Sequence, residues 1–259
     1  MSKIALISLL TVAAAVPAQA ALTAGDIAII GRINNGTPDS FSFVALSNIA
    51  AGEVIYFTDN GWTGSGYRGS SATDGDGNEN FTKWTASSAV TAGTIISSTS
   101  GDFTITGSIT GASSGAYASL ALATAGDQIT AFQNSNASNP LFNTSTQTAL
   151  FQLDDTNGFE AAVDSATGDV SPGLTASFTA LTLNFKVAGG ISVNSSVLSG
   201  PAKTKDQWLA TFADAANWGA VTTLPTASIA VSAVPEPETY ALMLAGLGAI
   251  GFMARRRKF

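Results

Sequence analysis

Short apolar runs separated by turn-forming residues constrain the fold of this chain more than any other feature. Runs with β-type composition occupy residues 26–30, 41–46, 53–59, 93–97, 102–106, 117–122, 127–133 and 149–153, and Gly, Asn, Asp and Ser interrupt them. Across residues 181–187, Leu, Leu, Phe and Val alternate with Thr, Asn and Lys, which is the period of a half-buried strand. Many short strands joined by turns predict an all-β fold, either a β-sandwich or a jelly-roll.

Two segments refine this prediction. Residues 54–57 are apolar throughout, which is typical of a strand covered on both faces. Thr204 and Gln207 have the spacing of a capping box at the start of a helix. The residues that then fall on one helical face are Trp208, Leu209, Phe212 and Ala216. We therefore predict one short helix over residues 205–216, packed on the sheets near the C-terminal end of the body.

The 259-residue chain contains no cysteine and no histidine. Disulfides, thiolate chemistry and Ser-His-Asp or Cys-His nucleophile systems are therefore excluded, and so is the commonest metal ligand. The body, residues 21–234, carries six basic and sixteen acidic residues, so its net charge is about −10. An acidic body repels phosphate groups, and we expect no nucleic-acid partner.

The first 20 residues have the organisation of a secretory signal peptide. Lys3 precedes an uncharged, mostly apolar run at residues 4–16, and Ala18 and Ala20 supply the small residues that signal peptidase requires. The run is too short to span a bilayer comfortably, which favours cleavage over a permanent anchor. We therefore expect a mature chain that begins at Ala21.

Three blocks follow one another at the C-terminal end. They are Pro235, Glu236 and Pro237, then an uncharged apolar run at residues 240–254, then Arg255, Arg256, Arg257 and Lys258. As a helix, the apolar run spans only about 22 Å of the roughly 30 Å hydrocarbon layer, a deficit that snorkelling arginines and local thinning can make up. We expect a single transmembrane helix at residues 240–254, with the basic stop at 255–258 in the cytoplasm and the body in the periplasm.

This order of blocks resembles the PEP-CTERM sorting signal of Gram-negative bacteria, over residues 234–259 only. The resemblance implies that an exosortase, a membrane cysteine protease, recognises the tail, and that the producing cell usually also makes exopolysaccharide. The two prolines keep the motif extended and accessible beside the membrane. The expected path is transient residence in the inner membrane, processing, and then the cell surface or extracellular matrix. An ordinary C-terminal anchor is the alternative.

Three stretches of the body carry a second resemblance. They read AGDIAII at 24–30, IAAGEVIYFTDNGW at 49–62 and AGDQI at 125–129, and they are similar to a β-rich domain of bacterial secreted and surface proteins. That domain has no assigned activity, so the resemblance implies location more than function. The expected organisation is a signal peptide at 1–20, a β-rich domain at 21–224, a linker at 225–234 and the sorting tail at 235–259. Residues 227–231 could alternatively form a last strand.

Asp74, Asp76 and Asn78 are the candidate metal ligands. Alternating Asp, Asp and Asn side chains can direct oxygens towards one point, as the hard cation Ca²⁺ requires. Glu79 and Thr85 stand where an EF-hand loop has Gly and Glu, so the EF-hand interpretation fails. A looser Ca²⁺ loop and a solvated turn both remain compatible with the sequence.

Two further groups of residues are candidates for hydrolysis or binding of carbohydrate. Asp154 and Asp155 could be the paired carboxylates of a glycoside hydrolase if they were held at the right separation. Trp62, Tyr67 and Trp84 flank the acidic loop and could stack on sugar rings or serve as core. The first hypothesis is a non-enzymatic envelope or matrix protein that is processed by exosortase and associated with exopolysaccharide. The alternatives are a Ca²⁺-assisted carbohydrate-binding module and, third, a hydrolase built on carboxylates.

Overall fold

Alternating apolar residues and turn residues give the chain its strands. The computed structural model describes residues 21–36, 38–68, 81–99, 103–104, 120–137, 140–141, 143–160 and 168–232, and residues 244, 246, 247 and 250 of the tail. The strands in these ranges are β1 (Ile27–Ile33), β2 (Ser40–Ala45), β3 (Val54–Thr58), β4 (Phe81–Thr85), β5 (Ile95–Ser97), β6 (Phe103–Thr104), β7 (Gln128–Asn134), β8 (Gln147–Asp154), β9 (Ala180–Thr182), β10 (Gly190–Val193) and β11 (Trp218–Val221). The helices are α1 (Ser195–Leu198), α2 (Lys205–Ala213) and short 3-10 turns at Thr144–Thr146 and Ala215–Asn217.

The strands form two sheets. One has the order β11-β10-β1-β2-β5 and the other the order β6-β4-β3-β7-β8-β9. Neighbouring strands are antiparallel except β8 and β9, which are parallel. In the five-stranded sheet, β1 lies between β2, which follows it directly, and β10, where Gly31 pairs with Ser192. The start and the end of the body therefore meet in one sheet.

The main core lies between the two sheets. Phe41 and Phe43 of β2 contact Phe57 of β3, with ring centroids 4.7 Å and 5.1 Å apart. Phe43 also meets Trp84 of β4 edge-on at 5.3 Å. Complete burial of such a side chain stabilises the fold by about 1.5–3 kcal/mol, and each aromatic pair adds about 0.5–1.5 kcal/mol. These contacts hold the two sheets together as layers.

A second cluster covers the outer face of the six-stranded sheet. Tyr56 of β3 stacks on Phe132 of β7 at 5.5 Å, and Tyr67 lies 5.5 Å from the same Phe132 ring. Trp62 packs edge-on against Tyr67 at 5.1 Å. Residues of β3 between Ile55 and Thr58 are accordingly buried whichever face they occupy. The prediction of a strand covered on both faces is confirmed.

The all-β prediction is confirmed, since two sheets and few helices make up the described residues. Seven of the predicted runs correspond to β1, β2, β3, β5, β6, β7 and β8. The strand predicted at 117–122 is wrong for residues 120–122, which are irregular, while 117–119 lie outside the described residues. The strand predicted over 181–187 ends at Thr182. Asn184 and Lys186 have φ values of 54° and 49°, a left-handed conformation outside the extended region of a regular strand.

The predicted capping box is present at the start of α2. The backbone amide of Gln207 donates to the Thr204 hydroxyl at 3.3 Å, and the backbone amide of Thr204 donates to the side-chain oxygen Oε1 of Gln207 at 2.9 Å. The helix ends at Ala213, earlier than predicted, because Asp214 caps the 3-10 turn that follows by accepting from the amide of Ala216 at 3.0 Å. Ala216 is exposed and does not belong to the buried face of the helix.

Candidate functional site

The cleavage, metal, sorting-motif and membrane-stop residues predicted from sequence lie outside the described residues. They are Ala18 and Ala20 of the signal peptide, Asp74, Asp76 and Asn78 of the acidic loop, Pro235, Glu236 and Pro237 of the motif, and Arg255, Arg256, Arg257 and Lys258 of the basic stop. These assignments therefore stay predictions. In the apolar run, Leu244, Leu247 and Ile250 are helical and 60–65% exposed. Across the part of the chain that the structure describes, no helix has the length and apolar character needed to cross a membrane.

The tail leaves the body through a segment that is packed against it, residues 227–232, which we call the strap. Ile229 is 6% exposed and belongs to the main core. Its amide donates to the carbonyl of Gly93 at 2.8 Å. Gly93 has a φ of 96°, and a Cβ at this position would clash with the carbonyl oxygen of Ile229. A glycine is therefore needed where the strap crosses the body.

The later part of the strap is fixed by main-chain and side-chain hydrogen bonds. The carbonyl of Ala230 accepts from the Lys203 amide at 3.2 Å and from Trp208 Nε1 at 3.0 Å. The amide of Ser232 donates to the carbonyl of Lys203 at 2.7 Å, and Val231 pairs with Lys203 in a parallel bridge. The strap thus stays bonded to the body until three residues before the first proline of the motif.

Helix α2 supplies the platform for the strap. Trp208 is fully buried and stacks on Phe212 at 5.4 Å, while Lys203 Nζ lies 4.2 Å from the centre of the Trp208 ring. At the start of the helix, Lys205 Nζ lies 3.1 Å from Asp26 Oδ1. The capping box, the aromatic stack and this ion pair orient the indole N–H towards the strap.

A buried ion pair connects the two sheets. Arg32 of β1 donates to Asp155 Oδ2, just beyond the end of β8, and the side chains are 2% and 1% exposed. Arg32 also donates to the carbonyls of Gly189 at 2.6 Å and Val187 at 3.1 Å. Burial lowers the pKa of Arg32 to about 10, although neighbouring carboxylates oppose that shift. Arg32 therefore keeps its charge at neutral pH and binds the irregular chain that follows β9.

Three carboxylates cap three consecutive amides, those of residues 121–123. Asp59 accepts from the first at 2.7 Å, Asp39 from the second at 2.8 Å and Asp127 from the third at 2.6 Å. Burial raises the pKa of Asp39, and the amide hydrogen bonds partly offset this. The segment has its amides satisfied by side chains instead of a neighbouring strand, which explains why the predicted strand does not form here.

Asp154 and Asp155 are buried and have separate roles. Asp155 is engaged by Arg32, whereas Asp154 Oδ1 accepts from the Thr156 amide at 2.7 Å and from its hydroxyl at 2.6 Å. Burial raises the pKa of Asp154, and the hydrogen bonds from Thr156 partly offset the shift. Asp154 Oδ2 is buried without a hydrogen bond among the described residues, as are the amide atoms of Gln128, its cross-strand neighbour. Side chains with 0–1% exposure do not offer a paired-carboxylate site to a polysaccharide chain.

The aromatic residues considered for sugar stacking are also buried. Trp62, Tyr67 and Trp84 are 6%, 1% and 1% exposed. Trp84 lies in the main core, while Trp62 and Tyr67 lie in the outer cluster. Burial raises the pKa of the Tyr67 hydroxyl. These three rings therefore serve as core and do not form a common exposed surface.

One open groove of about 1050 Å³ lies beside the edge strand β11. Its walls come from residues 192–196, 198, 199 and 220–228, so they include the first two residues of the strap. Its lining includes eight Ser and Thr side chains and no charged residue. Among the described residues, no three acidic side chains are grouped closely enough to hold a metal ion. The groove presents neutral hydroxyl groups, which both donate and accept hydrogen bonds.

The three C-terminal blocks are the part of the chain that matches a known protein family model. Residues 233–258 match a family model described as the PEP-CTERM protein-sorting motif. The chain carries a PEP-CTERM sorting tail. The match covers all three predicted blocks and supports an exported protein that is targeted to exosortase and processed at the membrane. No curated protein and no solved structure matches the chain.

The sequence indicates the PEP-CTERM tail but not the docking on the body of residues 227–232, which precede it. The sequence predicts a linker at residues 225–234, or a last strand at 227–231, and it places Trp208 on the buried face of a helix. The alternation of Ile229 and Val231 with small residues is a weak strand signal. The residues that bind the strap are Gly93, which is more than a hundred residues away in the sequence, and Lys203, which stands in no recognisable motif. No local pattern therefore predicts that the strap docks on the body.

Proposed function

We propose that this chain is a non-enzymatic protein of the cell envelope or extracellular matrix. Signal peptidase releases it at Ala21, the tail holds it transiently as a single-pass protein of the inner membrane, and an exosortase then removes the tail. The single observation that carries the proposal is the PEP-CTERM match at residues 233–258. The body contributes an acidic surface, with a net charge of about −10, that favours solubility once the apolar tail has gone.

Association of the processed body with exopolysaccharide is the finer part of the proposal. Its support is the resemblance of the tail to proteins of polysaccharide-producing bacteria, together with the uncharged, hydroxyl-lined groove beside β11. Hydroxyl side chains suit a neutral sugar polymer because each can donate and accept. Co-sedimentation of the mature body with polysaccharide from the same cells tests this part, and a body that stays in solution contradicts it.

The motif is tested by comparing the native chain with a variant in which Pro235, Glu236 and Pro237 are all alanine. Cell fractions are separated and the C-terminal mass of each form is determined. The native chain should give a shortened product outside the inner membrane. The variant should insert normally but accumulate at full length in the membrane, because the apolar run and the basic stop are intact. Normal release of the triple-alanine variant would show that the motif is only a spacer.

A further inference from the structure

We infer that the docked strap controls when the tail is cut: the processing enzyme acts only on chains whose strap has left the body. The strap is residues 227–232, and its hydrogen bonds and the burial of Ile229 hold it on α2 and on the loop at Gly93. This inference rests on the proposed processing by exosortase and adds a step of regulation to it.

The first argument is distance. Ser232 is bonded to the carbonyl of Lys203, and Pro235 is three residues further along the chain. A fully extended chain covers at most about 3.6 Å per residue, so three residues can carry the motif no further than about 11 Å from that bond. An enzyme that reads the motif therefore has to approach the folded body closely while the strap is docked.

The second argument is competition for the main chain. Proteins that bind extended peptides commonly do so through main-chain hydrogen bonds, as an added strand does. In the docked strap, the amides of Ile229 and Ser232 and the carbonyl of Ala230 already bond to the body. An enzyme cleft that extends upstream of the motif needs the same groups. Docking and productive binding over residues 229–232 are therefore mutually exclusive, and the processing rate scales with the undocked fraction.

A disulfide between the strap and the body tests the inference directly. Lys203 and Val231 are bridge partners, and paired strand residues have Cα separations within the range that a disulfide spans. The chain has no cysteine of its own, so Lys203→Cys/Val231→Cys forms a single defined crosslink in the oxidising periplasm. The full-length chain is pulse-labelled in its native cells, and the appearance of the shortened form is followed with and without reductant.

The crosslinked double variant should be processed about tenfold more slowly than either single-cysteine variant, because the undocked fraction is nearly abolished. Reductant should restore the rate. In the opposite direction, Ile229→Ala weakens docking and should be processed faster than the native chain. Ile129→Ala, which removes the same atoms from β7 at 2% exposure, is the matched control and should leave the rate unchanged.

The outcomes separate the two proposals. A crosslinked chain that is cut at the native rate overturns the inference and leaves the proposed function standing. Equal acceleration by Ile229→Ala and Ile129→Ala also overturns it, because unfolding of the body rather than release of the strap would then admit the enzyme. A native chain that is never cut overturns the proposed function and the inference together.

Discussion

Replacing Arg32 by methionine should destabilise the body by about 3–5 kcal/mol, which is the range for breaking a buried ion pair by removing one partner. The side chains of Arg32 and Asp155 are 2% and 1% exposed, so the carboxylate left behind has no access to water. The carbonyl of Gly189 also loses the Arg32 donor at 2.6 Å and keeps the amide of Asn34 at 3.2 Å. A domain has a total stability of about 5–15 kcal/mol, so the loss is a large fraction of it.

The chain offers a matched control in the pair between Lys205 and Asp26. Its atoms are 3.1 Å apart, but the Lys205 side chain is 35% exposed and that of Asp26 is 10% exposed. Water and ions screen such a pair, and Lys205→Met should lower the free energy of unfolding by only about 0.2–1 kcal/mol. The contrast between the two variants isolates the effect of burial.

Urea titration followed by tryptophan fluorescence measures both variants. The double variant Arg32→Met/Asp155→Asn should regain at least about 1 kcal/mol relative to Arg32→Met, because no charge is then buried at this position. The oxygen of the introduced carboxamide can still accept the backbone amide of Asp127, as the carboxylate of Asp155 does in the native chain. If Arg32→Met is no less stable than Lys205→Met, burial of the unpaired Asp155 carboxylate does not explain the loss of stability. A double variant that is no more stable than the single one refutes it as well.

Asp154→Asn should stabilise the body at pH 7, since burial raises the pKa of Asp154 and disfavours its charged form. Because the pKa of Asp154 is raised on folding, its contribution to stability is present below the unfolded-state value of 3.8 and is lost as the pH rises through the folded-state value. The extra stability of Asp154→Asn should therefore be seen in urea titrations at pH 7 and should vanish in titrations below pH 3.8. An equal gain in stability at both pH values would show that the buried charge of Asp154 is not what destabilises the native body. Thr204→Ala should cost about 1 kcal/mol by removing the cap of α2, measured by the same titration. An unchanged midpoint would show that the cap contributes nothing.

The strands with long apolar runs could be predicted because their signal is local. The same signal failed over residues 183–187, where the alternation continues but the backbone turns. Leu183 and Lys186 donate their amides to the carbonyls of Asp154 and Asp155, and Arg32 binds the carbonyls that follow. Arg32 lies on a strand more than a hundred residues earlier, so the alternation of side chains over residues 183–187 gives no sign that Arg32 binds the carbonyls of Val187 and Gly189.

The short strands β4, β10 and β11 were not predicted for a related reason. Their sequences, FTKWT, GISV and WGAV, are brief, and two contain the glycine that usually marks a turn. Each becomes a strand through its partner, as β10 does between β1 and β11. The buried polar network around Arg32 was equally hidden, since its acidic partners resemble ordinary loop residues in the sequence.

The central position of β1 has a consequence for export. A chain that crosses the membrane from its N-terminal end delivers β1 and β2 first, and β10 emerges about 145 residues after the end of β2. Until then, one edge of an apolar strand is open, and an open edge is a template for aggregation. Pairing with β10 closes this edge, so the chain is most prone to aggregation in the interval between the arrival of β2 and that of β10.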